Sequence, residues 1–147
     1  MAKKIQLKIV TPEKLILQEL VDSVTLPTTE GEITVLPDHI PLLATVASGD
    51  IVALKDGEHV PMAVVGGFVE VKKDKDETTV VVLADFAEHI SDITEAEIAK
   101  AKKRADELQL QAKNNQVIDF EHFESELERS LTRVKIADKW KTRKYRK

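Results

Sequence analysis

The chain has 147 residues, of which 42% are hydrophobic and 33% are charged. This length suits one ordinary domain or two small ones. The apolar content is sufficient for a packed core and excludes a wholly disordered chain. Cysteine is absent, which excludes disulfides, thiol catalysis and cysteine-ligated metal sites.

The formal net charge of −4 hides an asymmetry along the chain. Residues 129–147, here called the basic tail, contain nine basic residues and one acidic residue, Asp138. Subtraction from the totals of 22 and 26 leaves 13 basic and 25 acidic residues in 1–128. A basic tail on an acidic body indicates that the tail binds an acidic partner.

The sequence has no targeting or membrane-spanning pattern. Its apolar runs fall well short of the roughly 20 residues that cross a bilayer. The first four residues lead directly into alternating apolar residues, without the continuous apolar stretch of a signal peptide or the Arg- and Ser-rich composition of a transit peptide. We therefore expect a soluble protein that works where it is made. A bacterial origin is favoured, with a plastid-encoded copy as the minor option.

Short apolar runs separated by turn residues occupy the chain up to about Asp85. The runs are 5–9, 24–26, 33–36, 51–54, 62–65, 68–71 and 78–83. About ten short strands at this spacing, without helical segments between them, predict an antiparallel β-sandwich or flattened barrel over residues 1–87. Within this region Gly66 and Gly67 predict a bulge or tight turn.

The apolar period changes from about Ser91, which predicts a helical hairpin with a basic tail over residues 88–147. Thr94 and Glu97 form a capping-box pattern at the start of the first helix. The first helix is expected to end at Asn114 and Asn115. Asp119 can cap a second, antiparallel helix. The expected apolar stripes are Ile98, Ala101, Ala105, Leu108 and Ala112 on the first helix, and Phe120, Phe123, Leu127, Leu131 and Val134 on the second.

The first helix has an alanine-rich stripe, which buries little apolar area. Helices of this length are marginally stable in isolation. The hairpin is therefore expected to be weakly held and mobile.

Catalytic signatures are missing from the sequence. The four histidines are scattered, and there is no nucleophile elbow or phosphate-binding glycine loop. Phe68 and Phe86 are the two aromatic residues before the helices, and both are expected in the core. A sheet without exposed aromatic residues argues against single-stranded nucleic acid or sugars as ligands. We expect a non-catalytic protein with no cofactor and no metal.

The segment VTLPTTEGEITVLPDHIPLL, residues 24–43, resembles the signature of the ATP synthase epsilon family. Residues 10–12, 66–71 and 82–85 resemble further stretches of that family in the same order. The resemblance extends over essentially the whole chain, including the change from strands to helices.

The resemblance implies a rotor protein of the F-type ATP synthase central stalk, located at the cytoplasmic face of a bacterial plasma membrane. Its sandwich would bind the gamma subunit and the ring of c subunits, and would couple proton flow to ATP synthesis. Its helical hairpin would extend toward the catalytic beta and alpha subunits and inhibit ATP hydrolysis.

The resemblance also implies particular site residues. Glu32 and His39 are candidate contacts with the polar loops of the c-ring. A basic face on the second helix is expected to bind an acidic segment of the beta subunits. That face comprises Arg129, Arg133, Lys135, Lys139, Lys141 and Arg143.

Some members of the family bind ATP through an Ile-Asp-x-x-Arg-Ala motif on the first helix and arginines on the second. Here Arg129 and Arg133 match the second-helix arginines, and Glu88 matches an upstream acid. Thr94 and Glu97 replace the aspartate and the arginine of the motif. Because an acid stands where a phosphate or ribose partner is expected, ATP binding should be weakened.

Two other classes of function remain open from the residues alone. One is a free-standing interaction module whose hairpin docks partner helices. The other is a small nucleic-acid-binding protein, although an acidic body would repel a phosphate backbone. Co-purification with the gamma subunit and the c-ring, or binding to DNA at moderate salt, separates these alternatives.

Overall fold

The computed structural model describes residues 3–113 and 120–144, apart from the side chains of residues 112, 120–122 and 141–144. Its contacts divide the chain into two units, Met1–His89 and Ile90–Lys147. The strands of the first unit are β1 (Ile5–Val10), β2 (Leu15–Val21), β3 (Ser23–Thr28), β4 (Gly31–Val35), β5 (Leu42–Thr45), β6 (Gly49–Lys55), β7 (Glu58–Asp74) and β8 (Glu77–His89).

The strands form one mixed sheet that folds into a sandwich. Their order is β2-β1-β8-β7-β6-β3-β4, and β5 pairs with β7. The pairings among the described strands are antiparallel except that of β1 with β8, which run parallel with Ile5 opposite Thr78. The predicted β-sandwich is confirmed, but its purely antiparallel character is wrong. Strands β1 and β8 come from opposite ends of the unit, so no turn between them determines their relative direction.

Strand β7 bends at Gly66 and Gly67, whose φ angles are 61° and 115°. Before the bend it pairs with β6, and after the bend it pairs with β5. The register with β8 is unchanged across the bend, because Val65 lies opposite Phe86 and Gly67 opposite Ala84. The predicted bulge or tight turn is therefore wrong. The structure has eight strands where about ten were expected. The bend accounts for one of the two missing strands, because it lies inside the unbroken strand β7.

The register also defines two ends of the sandwich. The lysine end contains Lys3 and Lys4, which precede β1, together with the loop 36–41 and the β6–β7 and β7–β8 turns. The opposite end contains the β3–β4 turn and the bend in β7. There Thr28 bridges Val46, and the backbone N–H of Val46 donates to the carbonyl of Gly67 at 2.9 Å.

Alternate residues of the paired strands form the core of the first unit. On β1, Ile5, Leu7 and Ile9 are fully buried, and the residues between them are half-buried. Val80 and Val82 of β8 are buried in the same way. Each fully buried aliphatic side chain stabilises the fold by about 1.5–3 kcal/mol. The inner faces of the strands therefore supply most of the stability of the sandwich.

The second unit contains a 3-10 helix (Ile90–Asp92) and two α-helices, α1 (Glu95–Lys113) and α2 (Phe120–Lys144). The predicted capping box is confirmed. The backbone N–H of Thr94 donates to Glu97 Oε2 at 3.0 Å, and the N–H of Glu97 donates to Thr94 Oγ1 at 3.1 Å. The expected roles of Asn114, Asn115 and Asp119 lie outside the described residues.

The apolar stripe of α1 is confirmed for its described side chains, because Ile98, Ala101, Ala105 and Leu108 are buried. On α2 the prediction is partly wrong, since Leu131 is 45% exposed. A buried line on this helix follows Phe123, Ser130 and Ala137 at spacings of seven. This line runs along a different side of the helix from Leu131. Ala112 and Phe120 lie outside the described side chains.

Candidate protein-interaction surface

On one face of the sandwich, residues of four neighbouring strands lie opposite one another in a continuous row. On the outer side of the sheet, Leu15 of β2 lies opposite Val10 of β1. Val10 lies opposite Leu83 of β8, and Leu83 lies opposite Phe68 of β7. Leu43 of β5 belongs to the next row, opposite Glu70. We call the five apolar residues Val10, Leu15, Leu43, Phe68 and Leu83 the outer apolar face.

The outer apolar face is largely open to solvent. Leu43 is 70% exposed, Leu83 57% and Phe68 56%. The expected core position of Phe68 is therefore wrong, whereas Phe86 is half-buried. A cluster of large apolar side chains on one face, as opposed to scattered single residues, marks a protein interaction site. An exposed aromatic residue in its middle is a common anchor for binding.

Glu32 is exposed and is the second residue of β4, opposite Pro27 of β3. Its position next to the β3–β4 turn places it at the opposite end of the sandwich from Lys3 and Lys4. Thr28 orders this turn, because its hydroxyl donates to the carbonyl of Gly31 at 2.5 Å. The turn therefore presents the carboxylate of Glu32 from a defined backbone.

His39 is half-buried in the loop that follows β4, at the lysine end. Its ring Nδ1 lies 2.7 Å from the carbonyl oxygen of Ile40. Because a carbonyl only accepts, Nδ1 carries a proton, and Nε2 of a neutral ring is then left as an acceptor. Strand β4 alone extends about 13 Å, so the structure does not bring His39 and Glu32 together. Their roles as c-ring contacts remain predictions, but they do not form one patch.

Ion pairs connect the two helices of the hairpin. Arg104 forms a forked contact with Glu126, with Nε–Oε1 and Nη2–Oε2 distances of 2.6 and 3.1 Å. Arg133 Nη2 lies 3.9 Å from Glu97 Oε2. In these two pairs the residue number on α1 rises as the number on α2 falls, as in an antiparallel hairpin. A third contact joins Lys102 Nζ to Asp138 Oδ2 at 3.7 Å. The charge-assisted fork should contribute more to helix pairing than the longer contact.

The predicted basic face lies on α2, where Arg129, Lys135 and Lys139 are exposed and Arg133 is half-buried. At 3.6 residues per turn these four positions are spread over an arc of about 160° and do not form one narrow stripe. The ammonium of Lys139 lies 5.7 Å from the centroid of the Trp140 ring. The side chains of Lys141 and Arg143 lie outside the described part of the structure.

The three candidate nucleotide residues belong to different units. Glu88 is a half-buried residue of β8 in the first unit, whereas Arg129 and Arg133 lie one turn apart on α2. Glu97, which replaces the arginine of the family's ATP motif, forms an ion pair with Arg133. A phosphate group would have to compete with this carboxylate for Arg133. ATP binding by these residues remains an untested prediction.

Among the described residues, no group of three or more His, Asp or Glu residues is placed to hold a metal ion. None of the described helices is long and apolar enough to cross a membrane.

The chain is thus a β-sandwich with an exposed apolar face, followed by a helical hairpin. The family model for the beta-sandwich domain of the ATP synthase delta/epsilon chain matches residues 4–90. This chain belongs to that family, which confirms the resemblance found in residues 24–43.

Similar proteins support this membership. The ATP synthase epsilon chain of Syntrophobacter fumaroxidans is 57% identical over 49 residues, which are 33% of this chain and 37% of that protein. The ATP synthase epsilon chain of Ureaplasma parvum serovar 3 is 59% identical over 46 residues, 31% of this chain and 34% of that protein. The aligned part thus spans little more than a third of these relatives.

A solved structure has a similar fold. It is the cryo-EM structure of the Euglena gracilis mitochondrial ATP synthase, OSCP/F1/c-ring, in rotational state 1. The match covers 97% of this chain and 82% of the other, with a TM-score of 0.65 and 22% sequence identity. At this identity the similarity concerns the fold.

Proposed function

We propose that this chain is the epsilon subunit in the central stalk of an F-type ATP synthase, a rotor protein without catalytic activity of its own. It couples rotation of the c-ring to the gamma subunit and the catalytic head during proton-driven ATP synthesis. Membership of the delta/epsilon family supports this proposal. The proposed location is the cytoplasmic face of a bacterial plasma membrane, with attachment only through the complex.

The outer apolar face is the observation that carries the proposal. A rotor subunit must be held on its shaft by an interface that excludes water, and the core of such interfaces is apolar and rich in aromatic residues. Phe68 and Leu83 lie side by side on neighbouring strands and are more than half exposed. We assign the gamma subunit as the protein that covers them.

Reconstitution tests the proposed function directly. The full-length chain is added to an ATP synthase from which the epsilon chain has been removed, and the complex is repurified. We expect the chain to co-purify with the gamma subunit and the c-ring, and to restore proton-driven ATP synthesis in vesicles. A chain that fails to co-purify would overturn the proposal.

The exposed carboxylate of Glu32 is proposed to contact polar loops of the c-ring. Replacing it through Glu32→Lys reverses the charge on a turn whose backbone is ordered by Thr28. We expect weaker coupling, because like charges placed across an interface suppress binding. The measurement is proton-driven ATP synthesis in vesicles at equal amounts of bound chain.

His39→Ala is the comparison for Glu32→Lys, because His39 lies in the loop after β4, at the lysine end of the sandwich. Because the c-ring would contact one end of the sandwich, we expect proton-driven ATP synthesis to fall with one of the two substitutions and not with both. Normal synthesis with Glu32→Lys would refute the assignment of Glu32, whatever the result for His39.

The C-terminal helices are proposed to inhibit ATP hydrolysis, with the basic tail bound to an acidic segment of the beta subunits. Deleting residues 129–147 should raise ATP hydrolysis by the reconstituted enzyme several-fold. Each exposed ion pair contributes only about 0.2–1 kcal/mol. Several pairs together are nevertheless enough to shift the equilibrium between the folded and the extended conformation of the hairpin. The measurement is the hydrolysis rate as a function of salt concentration.

A charge-only variant separates electrostatics from packing in this experiment. The double substitution Lys135→Gln and Lys139→Gln removes two exposed charges and keeps the length of α2. It should raise hydrolysis in the same direction as the deletion and reduce the salt dependence. Unchanged hydrolysis in both proteins would contradict the regulatory role.

A further inference from the structure

Three groups converge on Asp38 and fix the turn Leu36–His39 to the sandwich. The backbone N–H of Asp38 donates to Thr78 Oγ1 at 2.8 Å. The carboxylate of Asp38 lies 2.9 Å from Lys3 Nζ and 3.7 Å from Lys73 Nζ. These partners come from the segment before β1, from β7 and from β8, so the turn is held from several sides.

The hydrogen bond from Lys3 is the largest influence on the Asp38 carboxyl and holds its pKa below the ordinary value. The pKa of Lys3 is raised by the same contact. Because the folded-state pKa of Asp38 is lowered, the ion pair is present above the ordinary carboxyl pKa and is lost as the pH falls through the lowered value. At neutral pH the carboxylate therefore remains available to both lysines.

Asp38 adopts a backbone conformation that costs energy for a side chain of its kind. Its φ angle is 69°, in the left-handed region that glycine occupies freely. The N–H of His39 donates to the carbonyl of Leu36 at 3.1 Å, and proline stands second in the turn, as in a type II turn. Glycine would fit the third position without strain. Aspartate is one of the few other residues that adopt this conformation, and here it also brings a carboxylate within reach of two lysines.

The loop that contains this turn displays two large apolar side chains. Leu36 is 57% exposed and Ile40 is 73% exposed. Ile40 lies three residues before Leu43, which belongs to the outer apolar face. A chain of three residues reaches at most about 11 Å, so Ile40 lies close to that face.

We propose that Asp38 is a positioning residue for binding to the stalk. By fixing the turn, it presents Leu36 and Ile40 as an extension of the outer apolar face toward the same partner, the gamma subunit. This inference rests on the proposed function and adds a second, preformed contact to it. Lys3, Lys73 and Thr78 act through Asp38 and do not need to touch the partner.

Asp56 provides a matched control because its surroundings repeat those of Asp38. Its φ angle is 50°, its N–H donates to Asp22 Oδ2 at 2.9 Å, and its carboxylate lies 2.7 Å from Lys4 Nζ. Its turn, residues 55–58, consists of charged residues and a glycine. The variant Asp56→Asn therefore removes an equivalent ion pair from a turn without an apolar side chain.

The test measures the affinity of the full-length chain for ATP synthase lacking its epsilon chain. Asp38→Asn keeps a residue that tolerates the left-handed conformation and removes the charge. We expect it to weaken binding about two- to fivefold, the order expected for solvent-exposed ion pairs, whereas Asp56→Asn should bind like the wild type. Amide hydrogen exchange at His39 in the free chain should accelerate with Asp38→Asn and stay unchanged with Asp56→Asn.

Substitutions at Thr78 separate positioning from general stability. Thr78→Val removes the acceptor for the Asp38 N–H and should weaken binding, and Thr78→Ser keeps a hydroxyl and should restore it. Wild-type affinity for Asp38→Asn, or an equal loss for Asp56→Asn, would overturn the positioning role and leave the proposed function intact. If the wild-type chain itself does not bind, the proposed function fails and this inference fails with it.

Discussion

Replacing Gly67 with alanine is expected to destabilise the sandwich by about 3 kcal/mol. A Cβ at this position would overlap the carbonyl oxygen of Leu83 and lie 2.8 Å from Ala84 Cα. Both obstacles belong to the backbone of β8, which is held in the β7–β8 ladder and cannot move aside easily. The φ angle of 115° adds strain for any L side chain. Overpacking and backbone strain each cost about 1–3 kcal/mol.

Thermal unfolding of the full chain, followed by the β-sheet signal in circular dichroism, measures this loss. For a unit of this size 1 kcal/mol corresponds to about 4–8 °C, so the midpoint should fall by more than about 10 °C. Gly31→Ala is the matched control. Its φ angle is 119°, and a Cβ there would meet nothing within 4 Å, so it tests backbone strain without the clash. Equal losses for the two variants would contradict the close approach of β8 at Gly67.

The bend at Gly66 and Gly67 also shows what the sequence can and cannot predict about this sheet. Two adjacent glycines between apolar runs correctly indicate an unusual backbone, because only glycine adopts such φ angles freely. They do not reveal whether the chain reverses, bulges or bends within one strand. The answer depends on β8, which keeps its register along both halves of β7. Such long-range pairing is not encoded in the local pattern.

Local chemistry was sufficient for the capping box of α1, because Thr94 and Glu97 satisfy each other's backbone N–H groups over three residues. The stripe of α2 was harder to predict. Leu131 has the right spacing and an apolar side chain, yet it is exposed. The buried line through Ser130 and Ala137 is set by how the helices pack, and apolar spacing alone did not identify it.

The sequence analysis does not identify the outer apolar face, and it places Phe68 in the core because of its hydrophobicity. The sequence did contain a signal. Residues 80–83 are four consecutive apolar residues in a strand whose neighbours alternate. A strand with apolar residues on both faces is typical of one that is covered on both sides. Val80 and Val82 point into the core, so this run indicates that Leu83 of the same strand lies on the outer side of the sheet.

The two candidate c-ring contacts are close in the sequence but lie apart in the structure. Glu32 and His39 are close in sequence and belong to one segment, residues 24–43, that resembles the family signature. The five-residue strand β4 nevertheless places them toward different ends of the sandwich. Proximity along an extended strand is misleading, because each residue adds about 3.3 Å to the separation. The ring contact can therefore be assigned only by testing each end.

Phe68→Glu is expected to have the largest effect on assembly, reducing affinity for the epsilon-depleted synthase about 100-fold. The substitution removes an aromatic anchor from the middle of the outer apolar face, where Leu83 lies opposite it. Truncating such an anchor typically costs about 2 kcal/mol or more, and the partner would also have to bury an unpaired carboxylate. A total of about 2.7 kcal/mol corresponds to a 100-fold change in affinity. Titration of the reconstituted complex measures it.

The fold itself should tolerate Phe68→Glu, because 56% of the side chain is already exposed and surface substitutions usually change stability little. Leu20→Glu is the matched control on the same sheet. Leu20 is 54% exposed, but it lies opposite Gln6 on the edge strand β2, away from the row that contains Phe68. Across three strand spacings and about four residues it is roughly 20 Å from Phe68. Wild-type affinity with Phe68→Glu, or an equal loss with Leu20→Glu, would show that the outer apolar face is not the binding surface.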